Sequence, residues 1–184
     1  MSLYYLMAQL PSLDGVNEST PLPITEERFY ELCKRFLGKK AQNILNSLSL
    51  TPKRERNITS SPLVDKWNDG ERELRFALAK VRANKLKKNF DVDINVSTQI
   101  LNVAKNAVEM DDPMSAERYL NDYRLDFLET LRPMDAFSED MVFYYGLKLK
   151  LILRTRQFDE IKGQNAYRSI YNSIMRGDEQ EAIQ

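Results

Sequence analysis

The sequence predicts an all-α protein, a compact multi-helix array of about six helices, and three observations carry that expectation. Nearly every segment repeats its apolar residues at helical period. Each such segment opens on a residue type that caps helices. Glycine is scarce: 6 of 184 residues, about 3% against a usual share of about 7%, leaves little material for tight turns.

The elements follow in chain order. Leu3–Leu10 reads equally as a short strand or a helical turn and stops at Pro11. After a loop from Pro11 to Pro23, Thr25 supplies an N-cap and Glu26 and Glu27 an acidic first turn. Phe29, Leu32, Cys33, Phe36, Leu37, Ala41, Ile44, Leu45 and Leu48 then form one stripe over about five turns, which predicts a single helix interrupted only in propensity by Gly38. Cys33 lies inside that stripe and reads as a buried structural thiol. Residues 49–62 lack periodicity and read as a loop with a basic centre at Lys53, Arg54 and Arg56.

From Leu63 to Phe90 the pattern predicts one long helix with two apolar stripes at 100° per residue. Leu74, Ala77, Leu78 and Val81 form one, and Phe76, Ala79, Ala83, Leu86 and Phe90 lie nearly opposite. A helix of that kind is expected to be covered on both sides. Arg72, Arg75, Arg82 and Lys85 run between the stripes, with Glu71 placed four before Arg75 for an ion pair.

Asp91–Asn95 predicts a break, and Ser97 caps a helix carrying Ile100, Val103, Ala104, Ala107 and Met110. Asp112-Pro113 restarts the chain as a helix with its stripe at Ala116, Tyr119, Leu120, Tyr123, Phe127 and Leu131, closed by Arg132-Pro133. Ser138 caps a segment from Met141 to Thr155 that is apolar nearly all round and should be the buried centre of the second half. A last helix carries Ile161, Tyr167, Ile170, Tyr171 and Ile174, and from Gly177 the tail is acidic. The expected organisation is one helical domain over 1–184: an N-terminal segment and loop (1–24), a first helical half (25–90), a second (91–177) and a frayed tail (178–184).

Composition narrows function by exclusion. Histidine is absent, which removes the commonest general base, the commonest metal ligand and every imidazole triad. One Cys excludes a disulfide framework and a zinc-finger ligand set. The glycines are scattered singly and match no phosphate-binding loop, and the carboxylate pairs Glu26/Glu27 and Asp111/Asp112 sit at helix starts, where capping accounts for them. The sequence therefore nominates no catalytic, cofactor-binding or metal-binding residue. No run approaches a membrane span, and with no export signal and one free thiol the expected compartment is the cytoplasm.

Charge balances overall, 27 basic against 27 acidic side chains, but unevenly along the chain. Residues 1–92 hold 16 basic and 11 acidic side chains and residues 93–184 hold 11 and 16, so the halves carry +5 and −5. Either the halves attract within one fold, or the protein docks between partners of opposite sign. Net neutrality argues against nucleic acid as partner. The basic run Lys80, Arg82, Lys85, Lys87, Lys88 points several ways round its helix and reads as a solvated face. Tyr4, Tyr5 and Trp67 are candidate interface anchors, with a core position equally open to Trp67.

Three stretches add a resemblance: YYLMAQLPSL at the start, WNDGERELRFALAKVRANKL in the middle, and FSEDMVFYYGLKLKLILRTRQFD with Gly163 after it. Together with Glu71, Arg72, Glu73, Leu74, Arg75 followed by Arg82-Ala83, they resemble an uncharacterised bacterial family encoded among the genes for V-type ATP synthases. Those proteins are regarded as counterparts of the funnel-like cap of the V-type ATPases, the component lettered C in bacteria and d in eukaryotes. The resemblance implies a non-enzymatic, all-α cap that links the central shaft to the membrane rotor ring. Its partners would be shaft and rotor-ring subunits, with the membrane's inner face reached only through them. The V-type cap has three similar helical lobes, and 184 residues leave room for two. Under this reading Arg72, Arg75 and Arg82 are structural or interface charges. The alternative is a free-standing helical adaptor that binds a protein partner in a groove.

Overall fold

The computed structural model describes residues 3–16, 20–53, 55–88, 96–157 and 164–172. Among them the chain forms eight helices and no strand: α1 (Leu3–Met7), α2 (Glu26–Phe36), α3 (Lys39–Ser47), α4 (Pro62–Lys85), α5 (Thr98–Glu109), α6 (Pro113–Thr130), α7 (Glu139–Thr155) and α8 (164–172). The all-α expectation holds, while the count rises from about six to eight. Arg54, Phe90, the Asp91–Asn95 break, Ile161, Gly163, Ile174 and the tail from Gly177 lie outside the described residues.

Two local events account for the higher count. Leu3–Met7 is a helix and not a strand. The single stripe expected from Phe29 to Leu48 is cut at Leu37–Gly38, both of which have extended backbones. Leu37 turns inward to burial, and the Gln42 side chain donates to the carbonyls of Leu37 and Lys34 at 2.8 and 3.1 Å. Those bonds satisfy carbonyl groups that the end of α2 leaves without helical partners. Because α2 and α3 both keep their apolar faces on the same core, the periodicity passes through the break unchanged.

The capping residues act as expected. Side-chain oxygens of Thr25, Ser61, Ser97, Asp112 and Ser138 accept from the first-turn N–H groups of α2, α4, α5, α6 and α7. Pro62 and Pro113 occupy the first turns of α4 and α6, where no amide donor is needed. The end of α4 departs from expectation. The helix stops at Lys85 rather than reaching Phe90. Lys87 adopts a left-handed conformation (φ 52°) while the amides of Lys87 and Lys88 donate back to Asn84 and Ala83. This is a Schellman stop with lysine where glycine is usual.

The apolar residues separate into two clusters that share α4 and α6. The larger gathers α1, α2, α3 and α7 around the first turns of α4 and the last turns of α6, with Phe29, Trp67, Leu128, Phe143 and Leu147 among its buried members. The smaller packs α5 between the later turns of α4 and the earlier turns of α6, through Leu74, Ala77, Ala104 and Leu120. Helix α7 is buried nearly all round, as its composition implies, but its neighbours include α2 and α3 from the first half of the chain. The second stripe expected on α4 is not covered by described residues: Phe76, Ala79 and Ala83 are half-buried and Leu86 is exposed. What α4 buries is one continuous stripe, Leu63, Val64, Trp67, Glu71, Leu74, Ala77 and Leu78, handed from one cluster to the next along its length.

The charge asymmetry does not work as a simple attraction between halves. Among the described residues, the ion pairs that cross the midpoint are Arg124–Glu71, Lys148–Asp14 and Lys150–Glu26. In each the carboxylate comes from the basic first half. Among the described residues, the first half thus gives three of its scarcer acidic groups to bases of the second.

Candidate interaction surfaces

Where the two clusters meet, the core stripe carries charge. Glu71 on α4 and Arg124 on α6 are 2% and 5% exposed, and Arg124 Nε donates to Glu71 Oε1 at 2.7 Å. Arg124 Nη1 lies 3.4 Å from Asn121 Oδ1, and Asn121 Nδ2 lies 3.4 Å from Thr155 Oγ1 on α7. The other Glu71 oxygen has no hydrogen bond and faces Arg75 Nε at 3.8 Å. The Glu71–Arg75 pair expected from their spacing is therefore present but secondary. Arg124, which sequence reasoning does not single out, is the principal partner. Beside this pair, Gly70 has no room for a side chain, because a Cβ there would collide with the Phe127 ring that stacks on Trp67.

The nominated interface residues fall into three groups. Trp67 is fully buried, and its indole N–H points at the Ser49 carbonyl at 3.4 Å. It fills the core and, contrary to its nomination, is no interface anchor, because no part of it reaches the surface. Arg72 is also internal in role. Its guanidinium donates to the carbonyls of Lys53 and Glu55 and to Asp69, fastening the basic loop to α4. Arg75 and Arg82 are exposed and border a cleft with Arg124 and Arg154. Lys85 donates to the Val108 carbonyl near the end of α5 at 3.0 Å.

Tyr4 and Tyr5 are the nominated residues that do stand at the surface, 54% and 62% exposed. Tyr4 meets Tyr5 edge-on at 5.7 Å and Phe137 at 5.2 Å between ring centroids. Phe137 is itself half exposed, and Met134 in the same α6–α7 turn is fully exposed. The turn is ordered by Asp135, whose carboxylate accepts from the Phe137 amide and whose carbonyl accepts from Ser138 Oγ. An aromatic corner thus joins α1 to the loop before α7. On α8 every residue is exposed, and Tyr167 stacks on Tyr171 at 6.2 Å.

A polar network ties the N-terminal loop to α6 and α7. Lys148 Nζ sits 2.7 Å from both Asp14 Oδ1 and Glu129 Oε1, and the Tyr144 hydroxyl also donates to Glu129. Burial pushes Glu129 up, yet the hydrogen bonds from Lys148 and Tyr144 outweigh it and hold the carboxyl below its ordinary value. Burial lifts the Tyr144 phenol to about 12, with Glu129 adding to the effect. Burial alone takes the Cys33 thiol to about 12, so it is no nucleophile at neutral pH.

Fold and surface together define a helical protein with a bipartite core, internally paired buried charge and aromatic side chains presented to solvent. Residues 101–178, under half of the chain, match a family described as "Protein of unknown function (DUF2764)". No curated protein and no solved structure matches the chain. Among the described residues no helix is long and apolar enough to cross a membrane.

Proposed function

We propose that this protein acts by binding other proteins and not by catalysis, as a peripheral or accessory component of a bacterial V-type ATP synthase. In that role it links the central shaft to the membrane rotor ring in proton or sodium transport, on the inner face of the membrane. One observation carries the reading. The exposed aromatic corner is assembled from two of the three stretches that resemble the V-type family, Tyr4 and Tyr5 from the first and Phe137 from the third. Exposed, clustered aromatics are the side chains that anchor protein interfaces. Buried charge is meanwhile absorbed in the structural pair Glu71–Arg124, and half-buried Lys148 is held by Glu129.

The test is a binding titration of the purified protein against the purified shaft subunits and against the detergent-solubilised rotor ring, alongside a deletion strain assayed for ATP synthesis driven by an ion gradient. Saturable binding and loss of coupled synthesis are expected. Absence of binding to either component, with coupling intact in the deletion strain, rejects the reading and leaves the free-standing adaptor.

A further inference from the structure

Helices α4, α6 and α7 and the loop at Thr51 enclose a cleft of about 370 Å³. Four arginines border it, Arg75, Arg82, Arg124 and Arg154, and Glu117 is its one acidic lining residue. Pairing uses up two of the four. Arg154 is bonded to Glu117 at 2.9 Å, and Arg124 to Glu71 at 2.7 Å. Arg75 reaches only the far oxygen of Glu71, at 3.8 Å, on a carboxylate that already holds Arg124. Arg82 has no ion pair with a described residue. Two guanidinium charges are left over at the mouth of the cleft.

The surplus follows from the way the halves exchange charge. Glu71, the acidic residue of α4 best placed to neutralise Arg75, is committed to a base of the second half. An exposed charge surplus is tolerable in water, but two arginines and a paired third around one concavity form a site for an anion.

We propose that this cleft binds a small phosphomonoester, the phosphate lying between Arg75 and Arg82 with Arg154 beside it. A single carboxylate would match one of the two surplus charges. A phosphomonoester carries about −1.5 to −2 at neutral pH and presents oxygens in the geometry that the guanidinium fork accepts in pairs. Leu78 and Ala79 lie on α4 between the two arginines, and with Leu120 of α6 they give the cleft an apolar floor that faces the organic part of the molecule. The volume lies at the small end of the usual range for ligand sites, roughly 300–1,000 Å³, and suits a small molecule. This inference is independent of the proposed coupling role.

The experiment is calorimetric titration of the full chain with AMP, inorganic phosphate and adenosine, and co-sedimentation with phosphatidic acid vesicles. AMP is expected to bind at one site, inorganic phosphate more weakly at the same site, and adenosine not at all. Arg75→Gln and Arg82→Gln should each weaken AMP binding about tenfold or more, and the double variant should abolish it. Arg82 is exposed and has no ion pair with a described residue, so Arg82→Gln should leave the thermal midpoint unmoved. Arg75→Gln also removes the 3.8 Å contact to buried Glu71 and should lower it; Arg35→Gln on α2 serves as the control. Lowering the pH through about 6, where the phosphate gains a proton, should also weaken binding. Vesicle binding that needs Arg75 and Arg82, without AMP binding, would place the phosphate on a lipid headgroup and still uphold the site. No binding of AMP or vesicles with AMP up to about 10 mM, or binding indifferent to the double variant, overturns it.

Discussion

Glu71 and Arg124 are joined at 2.7 Å across 53 residues of sequence, at the point where the larger core cluster gives way to the smaller. Each stands on its helix where an apolar residue is expected: Glu71 between Trp67 and Leu74, Arg124 between Leu120 and Leu128. Taking both charges out of water is costly, and their attraction with the Asn121 contact offsets that cost only while both are present.

Breaking the pair from one side should therefore be severe. Glu71→Ala or Arg124→Ala should destabilise the protein by about 3–5 kcal/mol, while Glu71→Met with Arg124→Met should recover most of the loss or exceed the parent. Urea denaturation of the parent, the two Ala variants and the Ala–Ala double variant measures the coupling energy, and the Met–Met variant is compared directly with the parent.

Much of the fold was legible in the sequence, and the exceptions have physical causes. Caps such as Ser97 and Asp112 announce themselves because few residue types accept first-turn amides. The break at Leu37–Gly38 was hidden because both flanking helices turn the same face to one core, so the apolar spacing does not register it. Glu71 and Arg124 were hidden because charged residues read as surface, although each interrupts a stripe at a core position. The intervals from Trp67 to Glu71 and from Leu120 to Arg124 were the available signal. Trp67 was undecidable, since a tryptophan has equal value in a core or at an interface. The +5/−5 division was legible, but which charges pair across it depends on the tertiary fold.

Gly70 is required by the Phe127 ring. Gly70→Ala gains roughly 1 kcal/mol of helix propensity, against about 1–3 kcal/mol for forcing a methyl into the ring. A net loss of stability is expected, together with displacement of Phe127 from Trp67. Adding Phe127→Leu, which makes room, should shrink the effect of Gly70→Ala. Thermal midpoints and tryptophan fluorescence of the four proteins check both statements.

Lys87 is the converse case. Its left-handed backbone strains a residue with a Cβ, and glycine has no such penalty there. Lys87→Gly should stabilise the protein by up to about 1 kcal/mol, even after the extra freedom it gives the unfolded chain. A raised thermal midpoint with unchanged helical circular dichroism is the expected record.

The Lys148 network fixes a direction for the pH dependence. The hydrogen bond and charge of Lys148 hold Asp14 below 3.8, and Lys148 with Tyr144 holds Glu129 below 4.5 against burial. Groups depressed in the folded state stabilise it above their unfolded values, and that stability is lost as pH falls through the folded ones. The unfolding free energy from urea titration should therefore drop below about pH 4.5, by under about 1 kcal/mol from this network because Asp14 is largely exposed. Lys148→Met should flatten that part of the acid limb.

Under the proposed function, the aromatic corner docks this protein on a V-type ATP synthase. The most direct measurement is affinity purification of the tagged protein from its own cells in mild detergent, beside a Tyr4→Ala, Tyr5→Ala, Phe137→Ala triple variant, with mass spectrometry of what is retained. Shaft and rotor-ring subunits should accompany the parent protein and be depleted with the variant. Their absence from both samples, or equal recovery with the two proteins, would contradict it.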